Sequence, residues 1–361
     1  MTTAPTTDLS AREPAVIPRA HGRDALWIGL GVMVLGLSML AGLFVGAVNI
    51  APQDILGDLV SRLPLVSMHS PLGTVDQAIV WQLRLPRVVL GALVGGMLAL
   101  CGAAYQGIFR NPLADPYLLG VAAGAGLGAT VAIVFAINIT LLGVQALPLL
   151  AFAGAVLAVG MAYLVGRSIG AGRSSTTLVL GGVAVAAFLT AMQTFLQQRH
   201  TEQLQQVYNW ILGTVATAGW GQVTTMLPYA VLALVVIVLH GRLLDVMGLG
   251  DDAARTLGVR INHVRLAIIG SVTIGTAAAV AVSGLIGFVG LIIPHLVRLL
   301  GVRTHRTLLP LSMLLGASFL VLCDLLARTV VSPSELPIGV VTAVIGAPVF
   351  ALVLRTSRVD A

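Results

Sequence analysis

Nine long apolar runs account for most of this 361-residue sequence. All but one have close to the ~20 residues that an α-helix needs to cross the hydrocarbon core of a bilayer, and Leu266–Leu300 is too long for one crossing and short for two. The runs are Leu26–Val48, Val88–Ile108, Leu118–Ile137, Leu147–Gly166, Leu178–Leu196, Val223–His240, Leu266–Leu300, Leu308–Val330 and Ile338–Leu354. Because 57% of the residues are hydrophobic and only 9% are charged, the chain lacks the polar surface of a soluble protein of this length. The sequence therefore predicts an all-α polytopic membrane protein.

The placement of the arginines predicts how these runs cross the membrane. All 20 of the Lys/Arg residues are arginine. Cytoplasmic loops of membrane proteins are enriched in Lys and Arg, so we assign the arginine-rich loops to the cytoplasmic side, and most of the arginines then lie there. This distribution requires two crossings between Leu266 and Leu300, with a break at Ser283-Gly284 and a short half-helix after it. We therefore expect ten transmembrane helices, including that half-helix, with both termini in the cytoplasm.

This topology divides the chain into a membrane domain and two tails. The predicted parts are a cytoplasmic N-terminal tail (1–25), a ten-span domain (26–355) and a C-terminal tail (356–361), with an extracytoplasmic segment at 198–221 and a cytoplasmic loop at 243–259.

The cytoplasmic loop has the pattern of two short helices with a hinge at Gly248–Gly250. Asp251 and Asp252 would lie at the N-terminus of the second helix, where negative charge is favourable. The apolar residues of the loop are expected to face a partner or the membrane; they are Leu243, Leu244, Met247 and Leu257.

Several kinds of chemistry are excluded by what the sequence lacks. Without lysine there is no P-loop lysine, so the chain does not bind ATP through a Walker motif. Cys101 and Cys323 both lie in apolar runs and are interpreted as small core residues, not as a disulfide or a metal site. No serine–histidine or carboxylate pair falls at a matched depth, so an enzyme active site, a bound cofactor and a metal site are not expected.

Two sets of charged residues have two open interpretations each. Arg84-Leu-Pro-Arg87 begins an apolar run on the outer side. Its two arginines either extend their charged groups to the membrane interface or form a docking site for an acidic partner. Asp324 and Arg328 are four residues apart and so share a helix face. They form either a structural pair or, if Asp324 is unpaired, a proton-relay site.

Two further patterns concern helix faces. Thr190, Gln193, Thr194 and Gln197 lie at helical spacing in one run and serve either helix–helix hydrogen bonding or a pathway for a polar solute. The glycines of the Gly120–Gly128 stretch form a small-residue face, which favours close helix packing. That stretch follows no strand, so a nucleotide-binding loop is excluded.

The chain resembles the permease subunit of type II ABC importers for iron–siderophore complexes, haem and cobalamin. The resemblance covers about residues 26–355 and is carried by Arg84-Leu-Pro-Arg87, Gly102-x-x-x-Gln106, Asn111-Pro-Leu-Ala-Asp-Pro116, and the runs Gly284–His295 and Glu335–Pro348. It implies ten spans per chain, a homodimer, two separate ATP-binding cassette subunits that hold the ATP, and a soluble or lipid-anchored binding protein that delivers the chelate.

The resemblance also implies roles for particular residues. Docking of the binding protein would involve Arg84, Arg87 and Arg328, and the translocation pathway would involve Thr190, Gln193, Thr194 and Gln197. Contact with the ATPase would involve the loop residues Leu244, Met247, Leu249, Asp251, Ala254, Arg255, Leu257 and Gly258.

The expected function is ATP-driven import of a metal chelate across the bacterial cytoplasmic membrane, with a ferric siderophore as first choice and cobalamin or haem next. No nucleic acid is expected as a partner. The alternative is an ion-coupled secondary transporter, which needs an unpaired intramembrane carboxylate, and only Asp324 qualifies.

Overall fold

The computed structural model describes residues 21–46, 48–62, 70–141, 143–169 and 175–357. Most of the N-terminal tail, Arg173 and the end of the C-terminal tail lie outside these residues. The helices are α1 (His21–Phe44), α2 (Pro52–Ser61), α3 (Thr74–Ala78), α4 (Leu85–Phe109), α5 (Val121–Val134), α6 (Ala146–Ile169), α7 (Ser175–Arg199), α8 (Leu204–Ile211), α9 (Trp220–Leu239), α10 (Gly241–Gly248), α11 (Asp251–Thr256), α12 (Ile261–Ser283), α13 (Val289–Leu299), α14 (His305–Thr329) and α15 (Ile338–Ser357).

Among the described residues, seven stretches of helix are long and apolar enough to cross a membrane, and three shorter apolar helices accompany them. The shorter ones are Val121–Val134, Val289–Leu299 and Ile338–Leu352. This set of apolar helices confirms the prediction of a polytopic helical membrane protein. The predicted break lies where it was expected, because α12 ends at Ser283 and Gly284 follows with a φ of 70°. The helix after the break, α13, has only 11 residues.

The second membrane helix begins earlier than the sequence predicted. We expected it to start near Arg84, but the helix is continuous from Thr74 to Phe109. A π-helical turn, Ile79–Arg84, joins α3 to α4. Pro86 explains this turn, since proline has no N–H to continue the α-helical hydrogen bonds. Arg84 and Arg87 therefore lie within a helix and not at its start.

Helix α4 is the centre of the fold, and most of its side chains are buried. Glycines allow its neighbours to approach closely: a Cβ at Gly95 would overlap the backbone of Gly316 in α14, and one at Gly102 would overlap Gly290 in α13. Similarly, Gly124 of α5 lies against Gly154 of α6. The small-residue face predicted in the Gly120–Gly128 stretch is thus a helix-packing face.

A short hairpin was not predicted. Strands β1 (Thr140–Leu141) and β2 (Val144–Gln145) form a short antiparallel hairpin between α5 and α6. Gly143 in its turn has a φ of 81°, which glycine adopts without steric cost. Two residues per strand are too few to produce a readable alternating pattern.

Candidate functional site

Arg84 is buried and holds the end of another helix. Its side chain is 5% exposed. Nη1 donates to the carbonyl oxygens of Leu43 at 2.8 Å and Phe44 at 3.3 Å, and Nη2 donates to that of Val48. The last carbonyls of a helix have no partner within that helix, so Arg84 satisfies the C-terminal end of α1. The sequence predicted Arg84 at the outer start of a helix and open to a partner, whereas the structure shows it buried against the C-terminal end of α1.

Arg87 forms the closest ion pairs in this region. Its Nη1 and Nη2 contact Oε1 and Oε2 of Glu335 at 2.9 and 2.8 Å. Its Nε and Nη2 also contact the Asp324 carboxylate, with a shortest distance of 2.8 Å. Asp324 is buried, whereas the Glu335 side chain is 40% exposed. Two-pronged pairing of this kind suits the planar guanidinium of arginine.

The pairing of Asp324 differs from the expectation. Arg328 Nε lies 3.8 Å from Asp324 Oδ2, so the predicted i, i+4 pair exists, but Arg87 is the closer partner. Arg328 Nη2 instead donates to the carbonyl of Gly42 at 2.7 Å. Because two arginines engage Asp324, this carboxylate does not provide the unpaired site that an ion-coupled transporter needs.

The three arginines line one pocket of about 550 Å³. Gly46, Ser332 and Glu335 also line it, together with several apolar residues. Three guanidinium groups face two carboxylates here, so positive charge is in excess. Hydrogen bonds from Arg87 hold the pKa of Glu335 below its ordinary value, so this residue carries a full negative charge at neutral pH. A pocket of this kind is suited to binding an additional carboxylate.

The loop at 243–259 forms the two predicted short helices, α10 and α11, with Gly250 between them at a φ of 112°. The burial of three of its apolar residues corrects the expectation. Leu244, Met247 and Ala254 are fully buried within the chain, so they face neither a partner nor the membrane. Leu249 and Leu257 are 71% and 64% exposed. Arg255 and Gly258 are exposed as well.

Asp251 ties α11 to two other helices. Its carboxylate contacts Arg110 Nη2 at 2.8 Å and Arg265 Nη2 at 3.4 Å. Arg110 follows the last residue of α4, and Arg265 lies in α12, where its side chain is buried. Asp252, in contrast, has a fully solvated side chain and only a 3.4 Å contact with Arg255. Asp251 therefore joins helices, whereas Asp252 lies on the open surface.

Two further contacts at this end were not found from the sequence. Arg298 of α13 donates to Oε1 of Gln106 in α4, while Gln106 Nε2 donates to the carbonyl of Leu291 at 3.1 Å. His305 Nδ1 lies 2.7 Å from Oδ1 of Asp245 in α10. The Gly102-x-x-x-Gln106 motif was the only sequence signal for the first contact, and nothing indicated the second.

Helix α4 connects the two sites. Arg87 lies near its start and Arg110 directly follows its end. Its 25 residues span roughly 37 Å at 1.5 Å per residue. The arginine pocket and the α10–α11 pair thus lie at opposite ends of one buried helix.

The predicted polar stripe on α7 is divided between two faces. Thr190 and Thr194 are exposed, whereas Gln193 is buried and Gln197 is half-buried. A Cβ at Gly126 of α5 would lie 2.7 Å from Oε1 of Gln193, so this amide packs against α5. Adjacent helical positions differ by about 100°, which separates residue 193 from residue 194.

Comparison with known proteins identifies the family. Residues 34–356 match the FecCD transport family. The chain is 46% identical over 337 residues to the uncharacterized ABC transporter permease protein YvrB of Bacillus subtilis, covering 92% of this chain and 94% of that protein. It is 42% identical over 285 residues to the cobalamin import system permease protein BtuC of Halobacterium salinarum, covering 79% and 75%.

A solved structure supports the same assignment. The chain matches an inward-facing conformation of a putative metal-chelate type ABC transporter with a TM-score of 0.79 and 30% identity, covering 92% of this chain and 99% of that one. Together with the family match over nearly all of the membrane helices, this agreement confirms the prediction of an importer permease and gives the secondary-transporter alternative no support. The chain belongs to the FecCD transport family and is a permease of an ABC importer.

Proposed function

We propose that this permease imports a metal chelate across the bacterial cytoplasmic membrane, with a ferric siderophore as first candidate and cobalamin or haem next. The names of its relatives support this class: besides the cobalamin permease, a 38% identical Bacillus subtilis protein is an Fe(3+)-citrate import system permease. In the proposed topology the ten apolar helices are ten spans, and both termini lie in the cytoplasm.

The chain works as part of a larger assembly. A second copy forms a homodimer with it, two separate ATP-binding cassette subunits bind and hydrolyse ATP, and a soluble or lipid-anchored binding protein delivers the chelate. The permease itself holds no cofactor. The absence of lysine supports this division, because a Walker nucleotide site requires one.

The arginine pocket is the proposed docking site for the binding protein, with Arg84, Arg87 and Arg328 as its cations. The observation that supports this proposal is the excess of positive charge in a pocket of about 550 Å³ at one end of α4. Arg84 and Arg328 are largely committed to backbone carbonyls of α1 and the segment after it. Arg87 is therefore the guanidinium that an incoming carboxylate would share, in competition with Glu335.

The α10–α11 pair is the proposed coupling element. Its exposed residues, Leu249, Arg255, Leu257 and Gly258, would contact the ATPase. The buried residues Leu244, Met247 and Ala254 would hold the pair against the helices above it. Asp251 would pass movement of α11 to α4 and α12 through Arg110 and Arg265. ATP-driven movement at this end would then reach the docking end through α4.

The exposed face of α7 is the proposed wall of the pathway, with Thr190, Thr194 and Gln197 on it and Gln193 supporting it from behind. Both native cysteines are buried, so a cysteine placed at position 194 would be the accessible thiol among the described residues. A polar thiol reagent should modify Thr194→Cys, and bound chelate should slow the reaction. Modification at the same rate with and without chelate would argue against the pathway assignment.

Two measurements test the overall proposal. The chain, purified with its ATPase subunits, should show ATPase activity that the chelate-loaded binding protein stimulates. Binding of ferric siderophores, haem and cobalamin to that binding protein would identify the chelate. If no ATPase subunit associates with the chain, the proposal of an ATP-driven importer is wrong. If the binding protein binds neither ferric siderophores nor haem nor cobalamin, the proposed class of substrate is wrong.

A further inference from the structure

A second pocket, of about 250 Å³, lies at the α10–α11 end of the molecule, because Arg265 in its wall contacts Asp251 of α11. It lies where α6 ends and where α7 and α12 begin. The three helices are all candidate membrane spans. The pocket therefore lies at the boundary between the hydrocarbon region and the aqueous phase, where phospholipid headgroups are found.

The polar side of this pocket is basic. Arg167, His263 and Arg265 line it, and no carboxylate is among the described residues of its wall. Arg167 and His263 are exposed, whereas Arg265 is buried. The nearest acid, Asp251, contacts Arg265 at 3.4 Å but lies closer to Arg110, at 2.8 Å. The described lining holds two arginines and no acid of its own, so positive charge is in excess among these residues.

The other side of the pocket is apolar and leads towards the membrane. Leu178, Leu266 and Ile269 form this side. Leu266 is 54% exposed, and Leu164, nearby on α6, is 66% exposed. In the single chain, these exposed leucines on a membrane helix are open to lipid chains. The pocket thus offers cations to a headgroup and an apolar surface to the chains attached to it.

We propose that this pocket binds an anionic phospholipid, with the phosphate between Arg167, His263 and Arg265 and an acyl chain along Leu266. Basic pockets between membrane helices on the cytoplasmic side are suited to such headgroups. A free phosphate would use the same cations but not the apolar wall. The site is independent of which chelate the permease carries.

Native mass spectrometry of the full-length permease, released from detergent with defined lipids, tests this proposal. Phosphatidylglycerol should remain bound more strongly than phosphatidylcholine, and inorganic phosphate should not displace it. Arg167→Gln should weaken retention of phosphatidylglycerol by about fivefold, the effect of one arginine near a headgroup. Arg303→Gln is the matched control, because Arg303 is also exposed, lies after α13, and does not line the pocket.

Each outcome decides the question. The lipid site is supported if phosphatidylglycerol is retained selectively, and if Arg167→Gln lowers this retention while Arg303→Gln leaves it unchanged. Equal retention of the two lipids, or equal loss in both variants, overturns it. Displacement by phosphate alone would mean a small-anion site instead. Lipid selectivity and phosphate competition are measured on the unaltered protein, so the test does not depend on the folding of a variant.

Discussion

Arg87 and Glu335 meet through two parallel contacts, Nη1–Oε1 at 2.9 Å and Nη2–Oε2 at 2.8 Å, across 248 residues of sequence. Asp324 holds the same guanidinium from the buried side. Since the Glu335 side chain is 40% exposed, it is the member of the trio that can be replaced from outside. The permease therefore already contains a carboxylate in the position that the proposed docking would give to the binding protein.

Neutralising Glu335 should strengthen docking. In Glu335→Gln the side chain no longer competes with a partner's carboxylate for Arg87, so less binding protein should be needed to stimulate the ATPase. We expect the half-saturating concentration to fall by up to about fivefold, since a partly exposed ion pair contributes about 1 kcal/mol or less. Titration of the ATPase rate with binding protein measures this. Glu202→Gln, an exposed acid in the segment before α8, should leave it unchanged.

The same ion pair should give the protein an acid-sensitive contribution to stability. Hydrogen bonds from Arg87 lower the pKa of Glu335 in the folded state from its ordinary 4.5. The ion pair therefore contributes its full stabilisation above pH 4.5, the ordinary pKa of Glu335. This stabilisation is lost as the pH falls through the lower pKa of Glu335 in the folded state. The difference in Tm between the wild type and Glu335→Gln should be largest near neutral pH and should shrink as the pH falls below 4.5. A difference that stays constant with pH would contradict this assignment.

Removing the Asp251 carboxylate should uncouple transport from ATP hydrolysis. Asp251→Ala frees Arg110 and leaves the buried Arg265 without this partner, so α11 loses its connection to α4 and α12. We expect chelate uptake per ATP hydrolysed to fall by about fivefold or more, the effect of losing about 1 kcal/mol of coupling. Asp252→Ala is the control, because that side chain is solvated and joins no other helix. Equal effects of the two changes would remove Asp251 from its role.

Gly102 should tolerate no side chain. A Cβ there would overlap the carbonyl of Gly290, so Gly102→Ala must push α13 away from α4. We expect the free energy of unfolding to fall by about 3 kcal/mol or more, beyond the usual range for overpacking, because backbone gives way less than a side chain. In Gly160→Ala the new Cβ would have nothing within 4 Å, and the higher helix propensity of alanine should stabilise α6 slightly. Thermal unfolding in detergent compares the two variants.

The apolar helices and the break after Ser283 could be predicted because each depends on residues adjacent in sequence. Hydropathy and glycine placement are local signals, and the bilayer makes the first of them strong. The start of the second membrane helix was predicted ten residues too late. The reason is that Arg84 and Arg87 looked like a polar boundary, whereas their charges are satisfied by distant partners inside the protein.

The long-range partners could not be predicted from one sequence. Arg328, four residues away, was the natural partner for Asp324, but packing of α4 against α14 brings Arg87 closer. Likewise, helical spacing grouped Gln193 with Thr190 and Thr194, and only the position of α5 shows that Gln193 points inward. Leu244 and Met247 were assigned to an outer face for the same reason, since an amphipathic helix does not reveal which apolar surface it meets.

Uptake into proteoliposomes tests the central claim most directly. The permease is reconstituted with its ATPase subunits, and chelate-loaded binding protein is added at the face bearing the arginine pocket. We predict accumulation of chelate that requires ATP at the α10–α11 face, requires the binding protein, and persists when ionophores remove proton and sodium gradients. Accumulation driven by an ion gradient, without ATP or the binding protein, would contradict the account.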